Sequence, residues 1–171
     1  MDVAIIATIV NAAAITTLAS VSYSQLRALR QQMSFSTFLK LMDDMDGEQA
    51  SHDREVIYTL SGKGEEFLSN MEPLPIDKDL IIQIATDPSK RETRNSLERT
   101  IKNLDKVGYV LLRGHGKKHQ APRWIWDRSL AMWCRIKPFV EYVRTRPGRQ
   151  NYAIYFEALA EEAAKNLKRN C

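Results

Sequence analysis

The chemistry-bearing residues of this 171-residue chain gather in one basic loop, GHGKKHQAPRW, from Gly114 to Trp124. Lys117, Lys118 and Arg123, with the indole of Trp124 beside them, suit contact with a phosphate or an anionic lipid headgroup. Ammonium and guanidinium groups donate to phosphate oxygens, and an aromatic ring rests well at a polar–apolar boundary. His115 and His119 have the i, i+4 spacing of a metal-ligand pair, but Gly114 and Gly116 oppose the helix that would present both rings to one ion. A solvated loop is the default reading, an anion contact is the functional reading that the loop supports best, and a metal site is weak.

Other fragments of chemistry fall short of a site. DDMDGEQ places Asp44, Asp46 and Gly47 at the third, fifth and sixth positions of a calcium loop, yet Met42 stands at the first ligand position and Asp53 replaces the closing glutamate. It is better read as an acidic, glycine-stopped helix end. SGKG, Ser61 to Gly64, lacks the full phosphate-loop pattern, and no apolar strand leads into it. Cys134 and Cys171 have no spacing for zinc and make no disulfide framework, which fits a reducing compartment; Cys134 reads as a small hydrophobe. No Ser/His/Asp, Cys/His or paired-carboxylate constellation can be assembled, so no catalytic residue and no cofactor are expected.

The element that must place the loop is the opening segment. Val3 to Val21 is 19 residues long, 14 of them Val, Ala, Ile or Leu, and carries no charge. A helix of that length spans roughly 28 Å, close to a bilayer's hydrocarbon thickness. The start Met-Asp lacks the positive charge of a secretory signal, and Ser and Thr hydroxyls can bond back to their own helix carbonyls in lipid. The expectation is a transmembrane anchor over residues 1–24 and a helical domain over 25–171. Arg27, Arg30 and Lys40 follow the segment while only Asp2 precedes it, so the positive-inside rule puts the N-terminus outside and the domain in the cytoplasm, at the inner membrane. Ala4, Thr8, Ala12, Thr16 and Ser20 form a small-residue row at i, i+4 spacing, with Asn11 beside it. This face would let two such helices pair as a homo-oligomer.

Charge is segregated along the chain. Residues 27–87 hold 6 basic and 12 acidic side chains, and residues 88–149 hold 16 and 5. The basic segment suits an anionic lipid, an acidic protein partner or, as the alternative reading, nucleic acid; equally, the two segments can face each other in the fold.

Apolar spacing of three and four continues from Leu26 to Met45, suggesting one long helix with a bend near Ser34, followed by a short helix from about Ser51 to Leu60. Asp77 is placed to cap a helix that ends before Pro88, and Asp87-Pro88 to start the next, which carries Leu97, Ile101, Leu104, Gly108, Leu111 and Leu112 as the central packing helix. Trp126, Leu130, Trp133, Ile136, Val140 and Val143 mark the core face of another helix, kinked or broken at Pro138. The last helix runs from about Asn151 to Lys168. The fold class is all-α: an anchor helix continuing into a compact bundle of about five to six helices.

LERTIKNLDKVGYVLLRG, Leu97 to Gly114, then Trp133, Pro138, Arg146 and YAIYFEALAEEA, Tyr152 to Ala163, resemble a family of short, mostly bacterial proteins of unknown function. Its members have one N-terminal membrane helix and a cytoplasmic helical domain. The resemblance implies that placement and an all-helical fold, and supplies no activity, cofactor or site residue. The functional expectation is a membrane-anchored, non-enzymatic interaction module that holds a protein partner or anionic lipid.

Overall fold

A computed structural model of the chain describes residues 15–18, 20–26, 28, 36, 40–41, 43–61, 74–113 and 121–171. Among these the fold is all-helical, without a strand. Residues 15–18 and 20–26 are helical, as are 40–41 and 43–46. Then come α1 (Glu48–Leu60), α2 (Lys78–Thr86), a 3-10 turn (Pro88–Lys90), α3 (Arg91–Leu112), α4 (Arg123–Arg144) and α5 (Ile154–Leu167). Among the described residues no helix is long and apolar enough to cross a membrane. Residues 1–14, which hold most of the expected anchor, and the expected bend near Ser34 lie outside the described residues.

Local chemistry sets the helix starts. The Asp77 carboxylate accepts from the backbone N–H groups of Asp79 and Leu80 at 2.9 and 3.2 Å, and Asp87 accepts from Ser89 N–H at 2.8 Å ahead of Pro88. Each satisfies donors that the first helical turn leaves open. Gly47 stops the helical stretch of residues 43–46, as expected, and also begins the next helix. It is an extended residue at the start of α1 (φ −61°, ψ 159°), so the chain bends there and resumes as a helix at once.

α3 buries Leu97, Ile101, Leu104, Val107 and Leu111 along one stripe and packs on α1, α2 and α5. α4 and α5 share the other extensive joint, where the rings of Trp133 and Phe156 meet edge to face with centroids 5.2 Å apart. Burying side chains of this size contributes about 1.5–3 kcal/mol each. Leu41 and Met45 also enter this core, so the helical stretch ahead of α1 packs on the domain.

Two devices bring α5 against α3. Gly108 lies under Tyr155: a methyl group added there would sit 2.7 Å from the Tyr155 carbonyl carbon and closer still to its oxygen. Three residues earlier, Asp105 accepts from the backbone N–H groups of Tyr155 and Phe156, both at 2.9 Å. The residue preceding α5, Ala153, has no capping side chain and adopts a left-handed conformation (φ 58°), so the first turn of α5 is capped from another helix.

Pro138 does not break α4. Its ring removes one backbone donor within a helix that continues to Arg144. Nearby, the carbonyl of Arg135 accepts from Ile76 N–H at 3.0 Å, tying the segment ahead of α2 to α4.

The cysteines correct the sequence reading. Cys134 on α4 and Cys171 at the end of the chain form a disulfide across 37 residues. Their separation hides the pairing, since Cys134 sits at a position that also suits a small buried hydrophobe.

Candidate functional site

The predicted anion contact is described in part. Lys117 and Lys118, with His115 and His119, lie outside the described residues, whereas Arg123 and Trp124 occupy the first turn of α4. Arg123 is well exposed, with its Nε 3.6 Å from Asp127 Oδ2. Trp124 is partly covered: the Arg128 guanidinium lies over its ring, 4.6 Å from the centroid, while Arg128 Nη1 bonds Asp46 Oδ1 at 2.7 Å. The indole that the sequence offers to a ligand is therefore stacked on an arginine of its own helix.

Of the predicted self-association face, Ala4, Thr8, Asn11 and Ala12 lie outside the described residues, and Thr16 and Ser20 sit one turn apart on an exposed helix. Ser20 Oγ donates to Thr16 O at 2.9 Å, and Ser24 Oγ to Val21 O at 2.7 Å. Around them Ile15, Leu18, Val21, Tyr23 and Leu26 are all exposed. At 100° per residue these five positions fall within one broad arc of about 200°, and Thr16, Thr17, Ser20 and Ser24 share the opposite face.

The densest polar cluster joins α1 to α3. Asp53, only 2% exposed, takes a two-pronged contact from Arg99, Nε to Oδ2 at 2.9 Å and Nη2 to Oδ1 at 2.7 Å, and a third bond from Gln49 at 3.0 Å. Burial pushes the Asp53 carboxyl up, but donors from Arg99, Ser96 and Gln49 together with the Arg99 charge outweigh it and hold the group below its usual value. With Asp46–Arg128, this pair sets the acidic segment against the basic one, as the charge pattern allows.

Next to it, Arg54 donates to the Met45 carbonyl and shares a cleft with Arg128, Asp53, Thr100 and Asn103. Burial, and then the charge of Arg128, lower Arg54's hold on its proton, with Asp46 opposing. The cleft encloses about 20 Å³, room for roughly one water, so it is no nucleotide or cofactor pocket.

Arg135 is the buried cation that the sequence reading missed. It is 1% exposed, donates from Nη1 to Ala131 O at 2.7 Å, and lies 4.8 Å from the centroid of the Tyr58 ring on α1. Burial pushes its pKa down. The only cue is position, inside the run Met132–Ile136 where all five residues are buried. At the other end of α4, Arg144 bonds Tyr152 O and Glu157 Oε2, both at 2.9 Å, clamping the turn into α5. The Tyr152 hydroxyl is pushed up to about 12 by burial and by Glu98 and Asp105, against Arg149, and so stays protonated at neutral pH.

These clusters connect helices. None places a nucleophile beside a base, and among the described residues no group of His, Cys, Asp or Glu is arranged to hold a metal ion. No family model, curated protein or solved structure matches the chain.

Proposed function

We propose that this protein is a membrane-anchored, non-enzymatic helical interaction module. Its N-terminal helix lies in the lipid, and its domain presents a protein partner or anionic lipid with basic side chains at the cytoplasmic face. The observation that supports the anchor is the contrast within residues 15–26. Their large apolar side chains are exposed over a broad arc, and on the opposite face the Ser20 and Ser24 hydroxyls are satisfied by their own helix. Hydrocarbon is the surrounding that rewards both features, because it offers no partner to a free hydroxyl and covers every face of a helix. The charges after the segment favour a cytoplasmic domain.

Membrane lipid is thus one partner. The small-residue row remains the proposed face for pairing with a second copy. Lys117, Lys118, Arg123 and Trp124 remain the proposed anion contact. Arg99, Arg128 and Arg144 are engaged by Asp53, Asp46 and Glu157, which subtracts them from any phosphate-binding surface and weighs against nucleic acid as the partner.

Carbonate extraction of the membrane pellet, followed by detergent, tests the anchor. Release only by detergent is expected, and recovery in the soluble fraction would overturn the reading. Binding to vesicles containing anionic lipid, compared between the parent and Lys117→Ala/Lys118→Ala, tests the loop. Unchanged binding would remove it.

A further inference from the structure

We propose that the Cys134–Cys171 disulfide is an exchange site for a low-molecular-weight thiol, and that exchange there releases the C-terminal tail from α4. The inference rests on the cytoplasmic placement proposed above, because in a thiol-rich compartment a persistent disulfide is the exception and a reversible one the rule.

The bond has a restricted structural role. It closes a 37-residue loop whose two helices are already held without it, by α4–α5 packing through Trp133 and Phe156 and by the Arg144 contacts to Tyr152 and Glu157. Its separate effect falls on residues 168–171. There Lys168 turns the chain in a left-handed conformation (φ 53°), and Arg169 N–H returns to Ala164 O at 3.1 Å. Beyond that turn the tail has one exposed ion pair, Arg169 Nη1 to Asp127 Oδ1 at 3.7 Å, and the disulfide. A non-glycine residue in the left-handed region is disfavoured, so the turn gains from being tethered.

The two sulfurs are unequal. Cys134 is 4% exposed and shielded, whereas Cys171 is exposed at the chain end. An incoming thiolate therefore attacks Sγ of Cys171. A bond forms between the small thiol and Cys171, the Cys134–Cys171 bond breaks, and Cys134 leaves with the electron pair and takes up the proton lost by the attacking thiol. A second small thiol attacks the mixed disulfide, giving the oxidised small-molecule disulfide and a free Cys171 thiol, so two small thiols are oxidised for each protein bond reduced. The Cys134 thiol is left as a small neutral group in an apolar setting, a state the core tolerates. The reverse reactions with the small-molecule disulfide close the tail again.

The full-length protein in detergent, equilibrated in buffers of reduced and oxidised glutathione, provides the test. Free thiols are alkylated and the intact mass is read, alongside amide exchange of the tail and a thermal melt. Expected are a glutathione adduct on Cys171, two alkylated thiols as the buffer becomes more reducing, faster exchange confined to residues 168–171, and a melt that stays cooperative. Cys171→Ser should reproduce the fast tail without the adduct, and Cys134→Ala should carry the adduct in proportion to the oxidised glutathione of the buffer, since no internal bond competes with it. A bond that millimolar glutathione leaves closed, or a reduced form without a cooperative melt, would overturn the exchange site whatever the variants do. Protease added to intact cells reports the compartment separately. Digestion of the domain would overturn the cytoplasmic placement and, with it, operation by the cell's thiol pool, while protection alongside a bond glutathione fails to open would sink the exchange site alone.

Discussion

The two joints that α3 makes are built on different physics. Toward α5 the contact is apolar and close, set by the missing side chain of Gly108 under Tyr155 and by Asp105 capping the neighbouring helix. Toward α1 the contact is ionic, with buried Asp53 gripped by Arg99, whose side chain is 37% exposed. The first joint tolerates no added volume and rests mainly on packing. The second tolerates reshaping but depends on a charge, and water reaches one of its partners. One helix can therefore hold one neighbour rigidly and the other conditionally.

Four substitutions break or sharpen this contrast. Gly108→Ala should have the largest effect, about 3 kcal/mol of lost stability in a denaturant titration, because the added carbon meets backbone rather than a movable side-chain end. Next, Asp53→Asn should cost about 2 kcal/mol, discounted from the value for a fully buried pair because Arg99 can turn to solvent. This is also where acid acts. The folded-state pKa of Asp53 is depressed, so its contribution is fully present above the unfolded value and is lost as pH falls through the folded one. Below about pH 4 the parent should lose its advantage over Asp53→Asn, and added salt should narrow the gap at neutral pH. Asp105→Ala should cost about 1 kcal/mol by removing the cap on Tyr155 and Phe156. The smallest effect is Ala153→Gly, where relief of the left-handed conformation exceeds the added chain entropy and raises stability by about 0.5 kcal/mol. Equal salt dependence of Gly108→Ala and Asp53→Asn would erase the distinction between the joints.

Much of this architecture is legible in residue spacing. Asp77 and Asp87-Pro88 mark helix starts by local hydrogen bonding alone, and the stripe from Leu97 to Leu111 and the pair Trp126 and Trp133 fall on the core as periodicity demands. Gly108 at a close crossing is also legible, because a glycine in a helical stripe costs propensity that packing must return. Other features depend on partners far away in sequence. The pairing of Cys134 with Cys171, the seat of Arg135 over Tyr58 and the capping of α5 by Asp105 each join residues that no local pattern connects. Gly47 is legible as the stop of the helical stretch before it, but not as the extended residue from which α1 starts at once. At the candidate site, the order of residues brings Arg123 and Trp124 to one helical turn. It does not reveal that Arg128, one turn further on, lies over the indole.

The capping of α5 by α3 has a further consequence. A helix of 14 residues is marginal in water when alone, and this one carries no cap of its own. The instruction for where it begins is held by a side chain 50 residues upstream. A C-terminal fragment beginning after α3 would therefore lose the boundary as well as the packing of its last helix, whereas the same fragment mixed with a piece containing α3 would recover both. Assembly of this domain is thus ordered by information that one helix holds on behalf of another.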